Sequence, residues 1–168
     1  MLSGNFFVDS GAAMSSKKDD WTTPRELFDR LDAMFGPFDL DAASSHENAL
    51  CEQHYTVEDD ALSIPWGGVR VFCNPPYSKE LGKWMRKAYE ERNRHEAIVM
   101  LVPARTETVY WKQWVYSKAD EVLFVQGRIA FGTSGGKAPF GSAVVVYRPD
   151  RIKTSYGTIE AEQKPALL

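Results

Sequence analysis

The chain has 168 residues, 43% hydrophobic and 26% charged, which suits one soluble domain with a buried core. No apolar run approaches the roughly 20 residues of a membrane span, and the N-terminus lacks a signal-peptide pattern; a cytoplasmic protein without a membrane partner is expected. A net charge of −3 excludes a globally basic nucleic-acid binder, so any contact with a polyanion must come from a local cationic surface.

Residues 1–20 are rich in Ser, Gly and Ala and end in Ser15-Ser16-Lys17-Lys18-Asp19-Asp20, as expected of a flexible arm. Order is expected from Trp21-Thr22-Thr23-Pro24. Thr23 suits an N-cap, Pro24 the first helical position, and Glu26 the partner in a capping box. Leu27, Phe28, Leu31, Met34 and Phe35 then recur at helical spacing until Gly36-Pro37 ends the run. Residues 38–43 read as a short strand ending in Asp41 and small side chains, which let a ligand approach the backbone. Ser44 to Tyr55 is expected as a short helix.

Val69-Arg70-Val71-Phe72-Cys73 is a β-branched and aromatic run, read as a buried strand. It stops at Asn74-Pro75-Pro76-Tyr77, because proline has no N–H for a ladder and holds φ near −65°. The carboxyl end of a strand is where open α/β sheets bind ligands. Here that end offers an amide side chain, a carbonyl and an aromatic ring on a stiff segment, which suits a planar group bearing an exocyclic NH₂. As structure alone, the same four residues are a rigid turn.

Ser78 to Arg94 follows as an amphipathic helix, with Leu81, Trp84, Met85 and Ala88 on one face and Lys79, Lys83, Arg86 and Lys87 largely on the other. Residues 97–102 read as a strand covered on both faces, 106–118 as a helix or lid, and 121–125 as another strand. A Gly-rich loop, 133–139, leads to a last strand over 142–147. Residues 151–168 are polar and expected as a peripheral tail, leaving 21–150 as the domain. The alternation predicts an α/β sheet, mostly parallel, with an antiparallel last strand and a reduced first half. Cys51 and Cys73 are expected as reduced thiols; His46, His54 and His95 lack metal-ligand spacing, so no metal is expected.

Taken together, Trp21-Thr22-Thr23-Pro24, Asp39-Leu40-Asp41-Ala42-Ala43, Asn74-Pro75-Pro76-Tyr77-Ser78, Gly127-Arg128-Ile129-Ala130-Phe131 and Ala138-Pro139-Phe140 resemble the phage-type, Dam-like DNA N6-adenine methyltransferases that use S-adenosylmethionine. Asn-Pro-Pro-Tyr alone also occurs in families that methylate protein glutamine or RNA guanine. The resemblance implies a Rossmann-like methyltransferase sheet, double-stranded DNA as partner with GATC as a candidate site, and no obligate protein partner. It implies cofactor contacts from Trp21, Thr22, Thr23, Pro24, Asp39, Asp41, Ala42 and Asp60. Catalysis would fall to Asn74, Pro75, Pro76 and Tyr77, with the Asn74 oxygen and Pro75 carbonyl accepting N6–H bonds and Tyr77 stacking on a flipped base. Phe131 and Phe140 would wall the base, and Lys79, Lys83, Arg86, Arg105, Lys112 and Arg128 would meet phosphates. The usual Gly-rich loop of the cofactor site is replaced by Asp-Ala-Ala-Ser. A non-catalytic DNA-binding module of the same fold is the alternative outside enzymes.

Overall fold

The computed structural model describes residues 21–132, 136–150 and 153–164. The arm expected over residues 1–20 lies outside them, as does Thr133–Gly135 of the Gly-rich loop. Helix α1 spans Arg25–Phe35 and buries Leu27, Phe28, Leu31 and Phe35, whereas Met34 is 52% exposed. Strand β1 is only Leu40–Asp41, β2 is Arg70–Cys73, and helix α2 is Leu81–Glu91. Strand β3 runs Ala97–Pro103 with every residue buried; α3 is Val109–Trp114, β4 Glu121–Gln126, β5 Ser142–Tyr147 and β6 Ser155–Glu160.

The six strands form one sheet in the order β1-β2-β3-β5-β4-β6. β5 is antiparallel to both β3 and β4, while all other pairings are parallel. β1, β2, β3, β4 and β6 therefore point their carboxyl ends to one edge. Helices cover both faces because β3 alternates its side chains between them. Ile98, Met100 and Val102 join the core of α2 and α3 that includes Trp84, Met85 and Trp111. Val99 and Leu101 join the core of α1, with Phe28, Leu31 and Phe72. This is a Rossmann-like α/β sheet, and its first half is reduced: among the described residues, beyond β1 lies only a single bridge between Asp41 and His54.

Three local expectations are corrected. No helix forms over Ser44–Tyr55; only a turn at 46–48 does. Ser45 N–H donates to Asn48 Oδ1 at 2.7 Å and Asn48 N–H to Ser45 Oγ at 3.3 Å, so short polar side chains capture the backbone that a helix would need. Thr23 does not cap α1; Pro24 stands at that position with no side-chain bond, and Glu26 accepts from the Gln163 N–H instead of closing a box. The antiparallel strand is not the last one. The polar segment beyond Pro149 adds β6 at the edge, held where the Arg30 guanidinium donates to the Glu160 and Ala161 carbonyls at 2.8 and 2.9 Å.

Candidate active site

Parallel pairing sets Asp41 of β1 opposite Phe72 of β2, so Asp41 and Asn74 leave neighbouring strands on the same edge. They line one cavity of about 540 Å³, within the rough 300–1,000 Å³ of small-ligand sites. Trp21, Thr22, Thr23, Ala42, Asp60, Pro75 and Pro76 line it as well. Among the further lining residues, sequence reasoning missed Ser44, Leu50, Tyr55, Glu58 and Trp84. Leu50 and Tyr55 lie in the segment misread as a helix, and Trp84 looks like core by its spacing.

Two of the residues named for the cofactor stand elsewhere, and Tyr77 of the catalytic set is outside the wall as well. The Asp39 carboxylate accepts from the Val69 and Arg70 N–H groups at 2.8–3.0 Å, tying the start of β1 to β2 at the far end of the strand. Pro24 opens α1 and is not part of the wall. Asp60 adopts a left-handed conformation (φ 49°) after a short 3₁₀ turn, Val57–Asp59, and accepts from Ser63 Oγ at 2.6 Å.

The cavity carries negative charge. Asp41 is 2% exposed, and burial pushes its carboxyl up to about 6, against the lowering effect of N–H bonds from Leu50 and Ala43. A side-chain bond from Ser45 holds Glu47 below the usual carboxylate range, and one from Thr56 does the same for Glu58. A wall of carboxylates and apolar side chains suits a cation with an attached ring better than a phosphate ester. Ser44 Oγ is buried there without a hydrogen-bond partner, a polar atom left for a ligand. S-adenosylmethionine, a sulfonium with an ammonium group and an adenine ring, fits this set.

At the end of β2, Asn74 Nδ2 donates to the Trp21 carbonyl at 2.6 Å and to Thr23 Oγ1 at 2.9 Å. Its Oδ1 is buried with no partner among the described residues. No described donor takes the carbonyl of Pro75, a buried residue, whereas that of Pro76 accepts from Ser78 N–H at 3.0 Å. Two acceptors thus stand unmatched on consecutive residues. Tyr77 donates its hydroxyl to the Leu101 carbonyl at 3.1 Å, and burial raises its pKa. Its ring meets three others: Trp21 stacked at 6.3 Å, and Phe131 and Phe140 edge-on at 6.1 and 5.6 Å.

The family model for DNA N-6-adenine-methyltransferase (Dam) matches residues 11–164, nearly the whole chain. The chain belongs to the Dam family. It is 34% identical over 121 residues to a DNA N-6-adenine-methyltransferase of Escherichia phage T1, an alignment covering 71% of this chain and 50% of that protein. It is 26% identical over 152 residues to a DNA N-6-adenine-methyltransferase of Haemophilus phage HP1 (strain HP1c1), covering 87% and 86%. The chain thus spans half the length of its phage T1 relative and most of the phage HP1 one.

Within this Dam-family fold, the cations named from sequence divide into two sets. Lys83 pairs with Glu80 at 2.6 Å, Arg86 with Glu90 at 2.7 Å and Lys87 with Glu91 at 2.9 Å, all along α2. Lys79, Arg105, Lys112 and Arg128 are exposed and make no ion pair among the described residues. Lys79, Arg105 and Arg128 follow the carboxyl ends of β2, β3 and β4, so they share the edge that carries the cavity. Both thiols are free and pushed up by burial, Cys51 to about 12, which leaves neither suited to act as a nucleophile. Among the described residues no helix is long and apolar enough to cross a membrane.

Proposed function

We propose that this chain transfers a methyl group from S-adenosylmethionine to N6 of an adenine flipped out of duplex DNA. The observation that carries the reading is the Asn74 amide: both of its N–H bonds are consumed by Trp21 and Thr23, and its oxygen is an orphan acceptor beside the unmatched Pro75 carbonyl. An adenine NH₂ has two hydrogens to give and a lone pair delocalised into its ring. Accepting both hydrogens with two fixed oxygens lets the nitrogen pyramidalise, so the lone pair is freed in the transition state more than in the ground state. When bound, S-adenosylmethionine supplies an electrophilic methyl on sulfur, which leaves its bonding pair behind as a thioether. Asp41, Asp60 and the Ser44 hydroxyl hold that molecule, and the N6 proton is lost to water after transfer. Tyr77 stacks on the base, worth roughly 1–3 kcal/mol, with Phe131 and Phe140 as the other walls.

The unpaired cations on the cavity edge favour a phosphate backbone over a peptide as substrate. The reading sets this activity inside a bacterial host cell, a setting supported by relatives that come from phages. The test is mass spectrometry of nucleosides from plasmid DNA incubated with the chain and the cofactor. N6-methyladenine is expected, concentrated at a short site for which GATC is the first candidate. Asn74→Ala is expected to lose more than about 10²-fold in rate, the scale for one preorganised polar group. Unmodified adenine in every sequence context rules the reading out and moves glutamine or RNA substrates ahead.

A further inference from the structure

We propose that Thr23 is a positioning residue for methyl transfer, one that aims the Asn74 amide rather than holding the cofactor. The inference rests on Asn74 as the N6 acceptor and adds how that acceptor is oriented. A carboxamide is nearly symmetric in shape, and a half-turn exchanges its oxygen with its NH₂; only hydrogen-bond partners choose between the two. Here the choice comes from the segment leading into α1. The Trp21 carbonyl can only accept, so at 2.6 Å it fixes Nδ2 on its own side. That uses one N–H, and Thr23 Oγ1 at 2.9 Å takes the second. With both donors consumed, Oδ1 is the one polar atom the side chain has left for a ligand.

Thr23 is 6% exposed and stands directly before the Pro24 cap position, yet its hydroxyl makes no capping bond to the helix. A threonine at the cap position itself would satisfy a helix N–H; one place earlier, this one accepts from Asn74 instead. Removing its oxygen strands a buried N–H and leaves the amide held at one point. The amide can then rock about its one remaining bond to the Trp21 carbonyl, so Oδ1 is no longer held on the line of the N6 hydrogen. Trp21 acts through its backbone, so Thr23 is the half of the device that substitution can remove.

The experiment compares Thr23→Val, which keeps the shape and loses the acceptor, with Thr23→Ser, which restores it. Thr23→Val is expected to lower kcat at saturating cofactor about 10- to 100-fold, the cost range of one unsatisfied buried donor. Its calorimetric Kd for S-adenosylmethionine is expected to stay within about twofold of wild type, the split that marks loss of a transition-state interaction. Thr23→Ser is expected to recover most of the rate. Without any ligand, the side-chain NH₂ resonances of Asn74, assigned by their absence in Asn74→Ala, are expected to shift in Thr23→Val and return in Thr23→Ser. Should Thr23→Val fail to fold, Thr23→Ala carries the same comparison. Weakened cofactor binding with kcat retained makes Thr23 a cofactor contact and overturns the proposal. Unchanged kcat in an active chain, or unmoved Asn74 resonances, overturns it as well while leaving the N6 reading intact. If wild type methylates no adenine, the N6 reading itself fails, and with it the positioning role.

Discussion

Asp41 shows what the end of a strand costs when it is both charged and buried. Its carboxyl is at about 6 because 2% exposure outweighs two backbone N–H bonds. A folded-state value above the unfolded 3.8 means that the native state holds its proton more tightly. The stabilising contribution is therefore complete below about pH 3.8 and lost as pH rises through about 6. About two pKa units correspond to a change on the order of 3 kcal/mol. Asp41→Asn removes the titration while keeping the shape. The variant is expected to gain on wild type by that order between pH 4 and pH 7 in denaturant unfolding. Parallel stability curves for the two proteins across that range would show that Asp41 does not titrate there. A sequence reading could place Asp41 at a strand end, but no local pattern announces the loop over 50–55 that bonds to its carboxylate and its backbone.

Among the elements, those with a strong internal period were legible and those defined by partners far along the chain were not. β2 with its proline stop, α2 with Leu81, Trp84, Met85 and Ala88, and the doubly covered β3 all stand where the residue spacing puts them. β6 escaped because an edge strand half open to solvent has no hydrophobic run, and its anchor is Arg30, about 130 residues earlier. Thr23 misled because a tertiary partner outbid the local cap. The same segment sets up a test of how the base enters. Trp21 lies stacked on Tyr77 (6.3 Å, 23° between planes), on the ring that a flipped adenine is proposed to use, and both touch Phe131 and Phe140. A base stacking on Tyr77 has to part these two rings. Duplex DNA added with a non-reactive cofactor analogue is expected to change tryptophan emission in wild type and much less in Trp21→Phe. An equal change in both would mean that Trp21 stays in place and that the base uses another face.

At the scale of the whole molecule the question is how a chain of net charge −3 holds a polyanion. Counting cations does not answer it, because pairing and position matter more than number. Lys83, Arg86 and Lys87 look like a binding stripe in sequence, yet each lies against a glutamate of its own helix. A phosphate recruiting them must first displace a carboxylate, and such displacement returns little net energy. Lys79, Arg105 and Arg128 have no such competitor among the described residues, and the parallel run of β2, β3 and β4 brings them to the edge of the cavity. Each phosphate neutralised releases counterions and contributes roughly −0.9 to the slope of log affinity against log salt. Replacing Lys79, Arg105 and Arg128 together by Ala is therefore expected to flatten that slope by roughly 2 to 3. Replacing Arg86 and Lys87 should change it by well under 1, with cofactor affinity unchanged in both variants. The two sets differ in fold position and pairing, not in charge type, so a uniform field effect would flatten both slopes alike. Equal flattening would mean that DNA is held by general attraction. Flattening confined to the three strand-end residues would mean that the sheet edge itself grips the duplex beside the cavity.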